Sequence, residues 1–256
     1  MQPFVHLHVH SQYSVLDGQA SIQALVDKAH DDGMPGIALT DHGNMFGVKE
    51  FYNYIKKKNG KLKSAIQEIE QKIAAVTDDD PDKENKLAEL QTQLEKAKSK
   101  KPFKPIIGCE MYVARRTMDK KEGKPDQSGY HLIVLAKNEK GYHNLIKLVS
   151  RAWTMGYYMR PRTDRNELEK YHEGLIVCSA CIGGEVPKKI INDQLEEAEE
   201  AIRWYKNLFG DDYYLELQRH KATVSRANHE AYPLQQKANA KLLEYARKYN
   251  IKVICS

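Results

Sequence analysis

The chain has 256 residues, of which 41% are hydrophobic and 29% charged, and its formal net charge is +5. A chain this apolar with so little net charge collapses around a core, which excludes a disordered polymer. We expect neither a membrane protein nor a secreted one, because no apolar run approaches the roughly 18 residues of a membrane helix, no signal peptide is recognisable, and four cysteines make no disulfide framework. The expected location is the cytoplasm.

The basic excess is concentrated in one segment. Residues 56–104 contain 13 lysines and 9 acidic residues, so the rest of the chain is close to neutral. The charge alone therefore gives little indication of nucleic-acid binding.

Short apolar segments alternate with longer amphipathic ones. The predicted strands, rich in Val, Ile, Leu and Tyr, are residues 4–10, 36–40, 105–113, 131–136, 175–179, 213–218 and 251–255. The predicted helices are residues 21–32, 46–57, 142–153, 195–209 and 233–249. Ser21 is a suitable N-cap, and Gly33 and Gly210 stand where helix C-termini favour glycine. Seven strands joined largely by helices predict a parallel α/β sheet, either open or closed into a (β/α) barrel.

Residues 61–100 interrupt this alternation. Apolar residues recur with a 4-3-4-3 spacing from Leu62 to Val76 and a 3-4-3 spacing from Leu87 to Ala97, with an acidic turn between them. The pattern predicts an inserted antiparallel helical hairpin with a coiled-coil-like seam. Two roles are open for it, a solvated spacer or a docking arm for a partner.

Three histidines alternate in the first predicted strand: His6, His8 and His10. Side chains two residues apart on a strand point to one face, so three imidazoles converge from one segment. An apolar core has no use for such a cluster, and neutral imidazole is the commonest protein ligand for transition metals. We therefore expect at least two of the three to bind metal.

Further polar residues lie on later predicted strands or at their ends. Asp41 and His42 follow the second strand, either as metal ligands, as an acid–base pair or in an Asx turn before the next helix. Glu110 stands alone in an apolar strand and must be paired or coordinated, because a free carboxylate is costly to bury. Three more candidates lie near the fourth, fifth and sixth strands: His131, Cys181 and His220.

This mixture of donors favours a cluster of divalent metals. Imidazoles and carboxylates with at most one thiolate differ from a structural zinc site, which uses several cysteines. Clustered metals ionise water at neutral pH and neutralise charge on a phosphate, which is the chemistry of phosphoester hydrolysis. The spacing of Cys178 and Cys181 does not by itself indicate a redox or zinc pair, because no second pair completes a site.

These motifs resemble the PHP (polymerase and histidinol phosphatase) domain family. The motifs HVH (8–10) and TDHG (40–43) are shared across the family. Four segments resemble the branch that forms the N-terminal domain of bacterial polymerase III alpha subunits: LDG (16–18), CEMYV (109–113), CIGGEVP (181–187) and ELQRH (216–220). The resemblance covers nearly the whole chain outside residues 56–103.

The resemblance implies a distorted seven-stranded (β/α) barrel of PHP type with up to three divalent metal ions at its mouth, zinc, manganese or iron. The implied metal ligands are His8, His10, Asp17, His42, Glu110, His131 and Cys181. Glu110 would bridge the metals, and His42 and Glu110 would take part in catalysis. His6 stands where many members have Asp, Asp41 is expected behind the ligands, and His220 is expected at a strand end that faces the site.

Family members carry a final Asp-x-His after the last strand, and this chain stops at Ser256, where that motif is due. We therefore expect a PHP domain over residues 1–256 that lacks its C-terminal end, with the inserted hairpin at 61–100. The metal site is expected to be incomplete.

The implied function is that of a multinuclear metal-dependent phosphoesterase with 3′–5′ exonuclease activity, within a DNA-directed DNA polymerase that acts in DNA replication. Its implied partners are DNA, the remainder of the alpha subunit and other polymerase III holoenzyme subunits, with no membrane. One alternative is a catalytically silent structural module that docks a proofreading exonuclease subunit. Another is a free-standing small-molecule phosphatase, which the polymerase-type segments disfavour. We identify no paired aspartates of a polymerase active site in the chain.

Overall fold

A computed structural model describes residues 4–77, 82–221, 224 and 231–256. The helices in these ranges are α1 (Ile22–Asp31), α2 (Val48–Ala74), α3 (Lys83–Lys98), α4 (Glu139–Thr154), α5 (Arg165–Tyr171), α6 (Glu185–Ile191), α7 (Leu195–Phe209) and α8 (Ala231–Tyr249). The strands are β1 (Gly36–Leu39), β2 (Lys104–Ala114), β3 (Gly129–Ala136), β4 (Arg162–Thr163), β5 (Leu175–Cys178), β6 (Tyr213–Leu217) and β7 (Lys252–Cys255). None of these helices is both long and apolar enough to cross a membrane.

The chain forms two compact units. The first contains α1, α2 and α3 with their flanking residues (21–37 and 48–105). The second contains residues 6–20 and 38–47 and the described part of 106–256. All of the candidate site residues belong to the second unit.

The strands form one seven-stranded sheet in the order β1-β2-β3-β5-β6-β7, with β4 paired to β2. The predicted α/β class is confirmed, and the sheet is consistent with a distorted (β/α) barrel. The predicted parallel pairing is present between β2 and β4, β5 and β6, and β6 and β7, but it is wrong for β3, which runs antiparallel to both β2 and β5. Residues 115–128 contain only a short 3-10 turn, and a connection without a crossover helix returns the chain in the opposite direction.

The predicted strand over residues 4–10 is not a regular strand, because the chain bends at His8. The segment still lies beside residues 38–40, since His6 O accepts from Ala38 N and Val9 O accepts from Thr40 N, both at 2.9 Å. β4 was not predicted, because two residues, Arg162 and Thr163, carry no apolar pattern.

The helices follow their sequence signals closely where these are long and periodic. Ser21 caps α1 by accepting a hydrogen bond from Ala24 N, and Gly33 follows the helix with a φ of +77°. α7 begins and ends where predicted. α5 and α6 were missed because seven residues are too few to show a helical period.

The first unit differs from prediction at residue 57, where the helix was expected to end. Instead, α2 is one helix of 27 residues that runs through Asn59 and Gly60 to Ala74. Lys98 of α3 pairs with Glu70 of α2 at 2.8 Å, and the Asn59 side chain exchanges two 2.9 Å hydrogen bonds with the main chain of Phe103. The extent of the predicted hairpin stays a prediction, since its turn at residues 78–81 lies outside the described residues.

The alternation of side chains along β2 and β3 determines which residues face the candidate site. Cys109 and Met111 pack in the larger hydrophobic core of the second unit, among residues of α4, α7 and α8. Their neighbours Glu110 and Tyr112 point to the opposite face, where they lie across from Ile133 and His131 in register. A smaller cluster around Ile133 forms the apolar floor on this face.

Candidate metal centre

Glu110 is the centre of the candidate site. Its side chain is buried, with 1% of the residue exposed. Its Oε2 lies 3.1 Å from His8 Nε2, 2.8 Å from His10 Nε2 and 3.1 Å from His42 Nδ1. Its Oε1 lies 2.8 Å from His131 Nδ1. Four imidazoles therefore surround one carboxylate.

His8 is oriented by a second carboxylate, that of Glu216 on β6. His8 Nδ1 lies 2.8 Å from Glu216 Oε1, which also accepts from Ser256 Oγ at 2.6 Å and from Gln218 Nε2 at 3.1 Å. An ionised carboxylate only accepts hydrogen bonds, so Nδ1 carries the proton. The Nε2 lone pair of neutral His8 then faces Glu110.

His10 is oriented by a chain of hydrogen bonds from Asp41. The buried Asp41 carboxylate accepts from Ser14 Oγ at 2.8 Å, and from the main-chain N and the Oγ of Ser11 at 2.7 and 2.8 Å. Since the Ser14 hydroxyl donates to Asp41, it accepts from His10 Nδ1 at 2.9 Å. The Nε2 lone pair of His10 therefore also faces Glu110.

When His8 and His10 are neutral, Glu110 Oε2 meets the lone pairs of both imidazoles at 2.8 to 3.1 Å. Neither Oε2 nor His42 Nδ1 has a hydrogen bond of acceptable geometry among the described residues, although both atoms are buried. Acceptors that face each other in this way are costly unless a proton or a metal cation lies between them.

Two sets of donors could hold a metal cation, since the ligand atoms of each set lie within 4.8 Å of one another. They are His8, His10 and Glu110, and His42, Glu110 and His131. Imidazole nitrogens and carboxylate oxygens suit zinc, manganese and iron alike. The residues fit a metal centre in which one carboxylate is shared.

Two further side chains extend the site towards solvent. Asp17 Oδ2 lies 2.9 Å from His42 Nε2, at an exposed position. Cys181 Sγ lies 3.5 Å from His131 Nδ1 and 3.8 Å from Glu110 Oε1. The two therefore stand next to different histidines of the second donor set.

The close contacts shift the ionisation of these groups. Burial raises the pKa of Glu110, but short contacts to His10, His131 and His8 outweigh burial and hold this pKa well below its usual value. Burial lowers the pKa of His8, but Glu110 and Glu216 outweigh it and raise the pKa to about 10. His131 behaves similarly beside Cys181 and Glu110, with a pKa of about 10. Protons and a metal cation therefore compete for the same nitrogens.

The structure brings almost all of the predicted site residues into one cleft of about 550 Å³. Its lining comprises His6, His8, His10, Asp17, His42, Glu110, His131, Cys181 and His220, together with Gln218 and Ser256. Asp41 is the exception, because it lies behind His10 and reaches that ring through Ser14. The assignment of each residue as a metal ligand stays a prediction.

The residues that orient the histidines are not among those predicted from the sequence. Glu216 is a lone carboxylate in an apolar strand, which is the signal that identified Glu110, so it could have been found. Ser11 and Ser14 carry no such signal, because serines are common in loops of every kind.

Comparison with known proteins gives the family. The family model of the PHP domain matches residues 6–220. The chain belongs to the PHP domain family. The resemblance expected from the HVH and TDHG motifs is thereby confirmed.

Relatives of this PHP domain are DNA polymerase III alpha subunits. The subunit of Borreliella burgdorferi is 43% identical over 218 residues, which is 85% of this chain and 15% of the relative. The subunits of Aquifex aeolicus and Thermus aquaticus are 34% and 36% identical over 259 and 257 residues, 99% of this chain in both cases. Those matches cover 18% and 17% of the two relatives. The PHP domain thus spans less than a fifth of the curated relatives it matches, and the resemblance to polymerase III alpha subunits is confirmed.

Proposed function

We propose that this PHP domain is a metal-dependent phosphoesterase module of a replicative DNA polymerase III alpha subunit, and that it removes nucleotides from the 3′ ends of DNA. The observation that supports this function best is the buried Glu110, shared by two sets of imidazoles at the floor of an open cleft. The proposed partners are DNA, the rest of the alpha subunit and other subunits of its holoenzyme.

The proposed centre takes two or three divalent ions, which would supply an activated water and neutralise charge on a phosphodiester. His8 and His10 with Glu110 would hold one ion, and His42 and His131 with Glu110 a second. Asp17 and Cys181 would complete the coordination on the side of the cleft that faces solvent.

The remaining groups of the chain position these ligands. Glu216 and Ser14 fix the His8 and His10 tautomers that present Nε2 to the centre. His42 lies between the exposed Asp17 and the buried Glu110, at 2.9 and 3.1 Å, so it is placed to bind metal or to pass a proton between cleft mouth and floor. The volume of about 550 Å³ is in the range of clefts that hold small ligands, and it suits the end of a nucleic-acid strand.

Metal analysis and a nuclease assay on one preparation of the 256-residue chain test the proposal. Metal content is measured by inductively coupled plasma mass spectrometry, and cleavage with a 5′-labelled single-stranded oligonucleotide and a small phosphomonoester. The test variants are Glu110→Gln and His8→Ala/His10→Ala, and the matched control is His143→Ala, which removes an exposed histidine of α4.

We expect at least two metal ions per chain, cleavage of the oligonucleotide from its 3′ end, and loss of both in the test variants only. Bound metal without cleavage would replace the proposal with a silent structural or docking module. Cleavage of the phosphomonoester alone would indicate a small-molecule phosphatase. A chain without metal would contradict the ligand assignment.

A further inference from the structure

Three aromatic side chains beside the metal centre are exposed. Phe46, Trp153 and Tyr157 are 65%, 41% and 48% exposed, although large aromatic side chains gain most from burial. The ring centroids of Phe46 and Trp153 are 6.0 Å apart, and those of Trp153 and Tyr157 are 5.6 Å apart with planes 20° from parallel. We call these three residues the aromatic shelf.

The aromatic shelf lines a second cleft, of about 240 Å³, that adjoins the metal centre. Asp17 and His42 line both this cleft and the larger one around Glu110. A bound chain-like molecule can therefore lie on the shelf and reach the metal centre with its end.

Hydrogen bonds hold the aromatic shelf in place. Trp153 Nε1 donates to Gly43 O at 2.7 Å, which ties α4 to the loop that carries His42. The fully buried Arg162 donates to the main-chain oxygens of Gly156, Met118 and Lys120 at 3.0 to 3.1 Å, which fixes the loop that carries Tyr157. A surface that is already ordered loses little conformational entropy when it binds a ligand.

Arg160 is an exposed cation that lines the smaller cleft together with the aromatic shelf. Its guanidinium is 6.0 Å from the ring centroid of Tyr112, and that ring stacks on His42 at 5.7 Å. Across the described ranges, no carboxylate lies within ion-pair distance of Arg160. The guanidinium is therefore available to an anion that comes from outside the chain.

We infer that the aromatic shelf binds unpaired bases of single-stranded DNA while Arg160 contacts the strand's phosphates, and that this places the strand end at the metal centre. The inference deepens the proposed function and rests on it. Bases stack on aromatic side chains whatever their identity, and arginine adds an electrostatic contact to the backbone. A base would stack on an outer face of the shelf, since insertion between two rings needs a separation of about 7 Å, twice a carbon–carbon contact. Inside a duplex both faces of a base are stacked on its neighbours and only the outer face of the terminal pair is free, so the shelf favours single strands and frayed or mispaired ends.

Oligonucleotide binding in EDTA tests the inference apart from cleavage. Fluorescence anisotropy of a 5′-labelled deoxythymidine 10-mer gives the affinity for the wild type and for Tyr157→Ala and Arg160→Ala. The matched controls are Tyr52→Ala and Arg247→Ala, which remove an exposed tyrosine and an exposed arginine elsewhere. In a Trp204→Phe background, Trp153 is the sole tryptophan, and its quenching by the oligonucleotide reports stacking with the shelf intact.

We expect Tyr157→Ala to weaken binding by about 5-fold to 150-fold, the range for loss of one base–aromatic stack. Arg160→Ala should make the negative slope of log affinity against log salt shallower by about 0.7, the value for one phosphate contact to a single strand. Trp153 fluorescence should fall on binding, and a blunt duplex should bind more weakly than the single strand.

Unchanged affinity in Tyr157→Ala, unquenched Trp153 or equal binding of the duplex would overturn the inference, and the first of these would leave the shelf as a surface for a protein partner. Nuclease assays of the same variants separate the two proposals. If binding depends on the aromatic shelf but the wild type does not cleave DNA, the inference about the shelf stands and the proposed nuclease activity is refuted. If the wild type cleaves DNA but binding does not depend on the shelf, the nuclease proposal stands and the inference about the shelf is refuted.

Discussion

Glu216→Gln tests whether Glu216 orients His8 in the candidate metal centre, because the substitution removes a charge while it keeps the shape of the side chain. Glu216 does not touch the shared carboxylate; it accepts from His8 Nδ1 at 2.8 Å and lies buried in β6. With an amide in its place, the tautomer of His8 is no longer fixed and the ring is a weaker base. The electrostatic support for a cation next to His8 is also lost.

The expected loss of metal affinity follows from the role of the contact between Glu216 and His8. Loss of a residue that orients a metal-binding histidine costs about 10-fold to 100-fold in metal affinity. This corresponds to about 1.4 to 2.8 kcal/mol of binding free energy. The amide can still accept from Gln218 and Ser256, so we expect the free energy of unfolding of the metal-free protein to change by less than about 1.5 kcal/mol.

Competition with a chromophoric chelator gives the metal affinity, and urea unfolding in EDTA gives the stability. Glu167→Gln is the matched control, because Glu167 is also a buried carboxylate with a charged partner, Arg151, but lies outside the cleft. Equal metal affinity in wild type and Glu216→Gln would refute the view that Glu216 orients His8.

Three further outcomes are expected. Metal affinity should rise with pH, because His8 and His131 have pKa values of about 10 and must lose their protons to bind a cation. Calorimetry in buffers of different ionisation enthalpy measures the number of protons released on metal binding. Arg151 holds the pKa of Glu167 below its usual value of 4.5. The ionised carboxylate therefore stabilises the fold fully above pH 4.5, and this contribution is lost as the pH falls through the lowered pKa. Urea unfolding from about pH 3 to 6 should show that the free energy of unfolding falls less steeply with acid in Glu167→Gln than in the wild type. Gly141→Ala should lower the free energy of unfolding by about 1 to 3 kcal/mol, because the new Cβ would lie 1.7 Å from Gly174 O. Gly60→Ala should raise it by up to about 1 kcal/mol, because Gly60 lies in the middle of α2 with open space around it. Urea unfolding measures both changes.

The sequence is most informative where a pattern is long or chemically improbable. The periodic α7 was placed to the residue, and three alternating histidines with a lone carboxylate in an apolar strand led to the cleft around Glu110. The direction of β3 was not predictable, because strand periodicity says which face a side chain takes and nothing about chain direction.

The orienting residues required the tertiary structure. Ser14 reaches His10 within its own loop, but its role depends on Asp41, which lies 27 residues further along the chain. The aromatic shelf joins Phe46 to Trp153 and Tyr157, and no local signal links segments so far apart. Such pairings follow from the sheet, which brings distant loops to one edge.

Anomalous X-ray diffraction from crystals grown with manganese or zinc tests the central claim, that Glu110 is shared between two metal ions, most directly. We expect at least two anomalous peaks, one beside His8 and His10 and one beside His42 and His131, with the Glu110 carboxylate between them. A single peak, or peaks that do not contact Glu110, would contradict a shared centre.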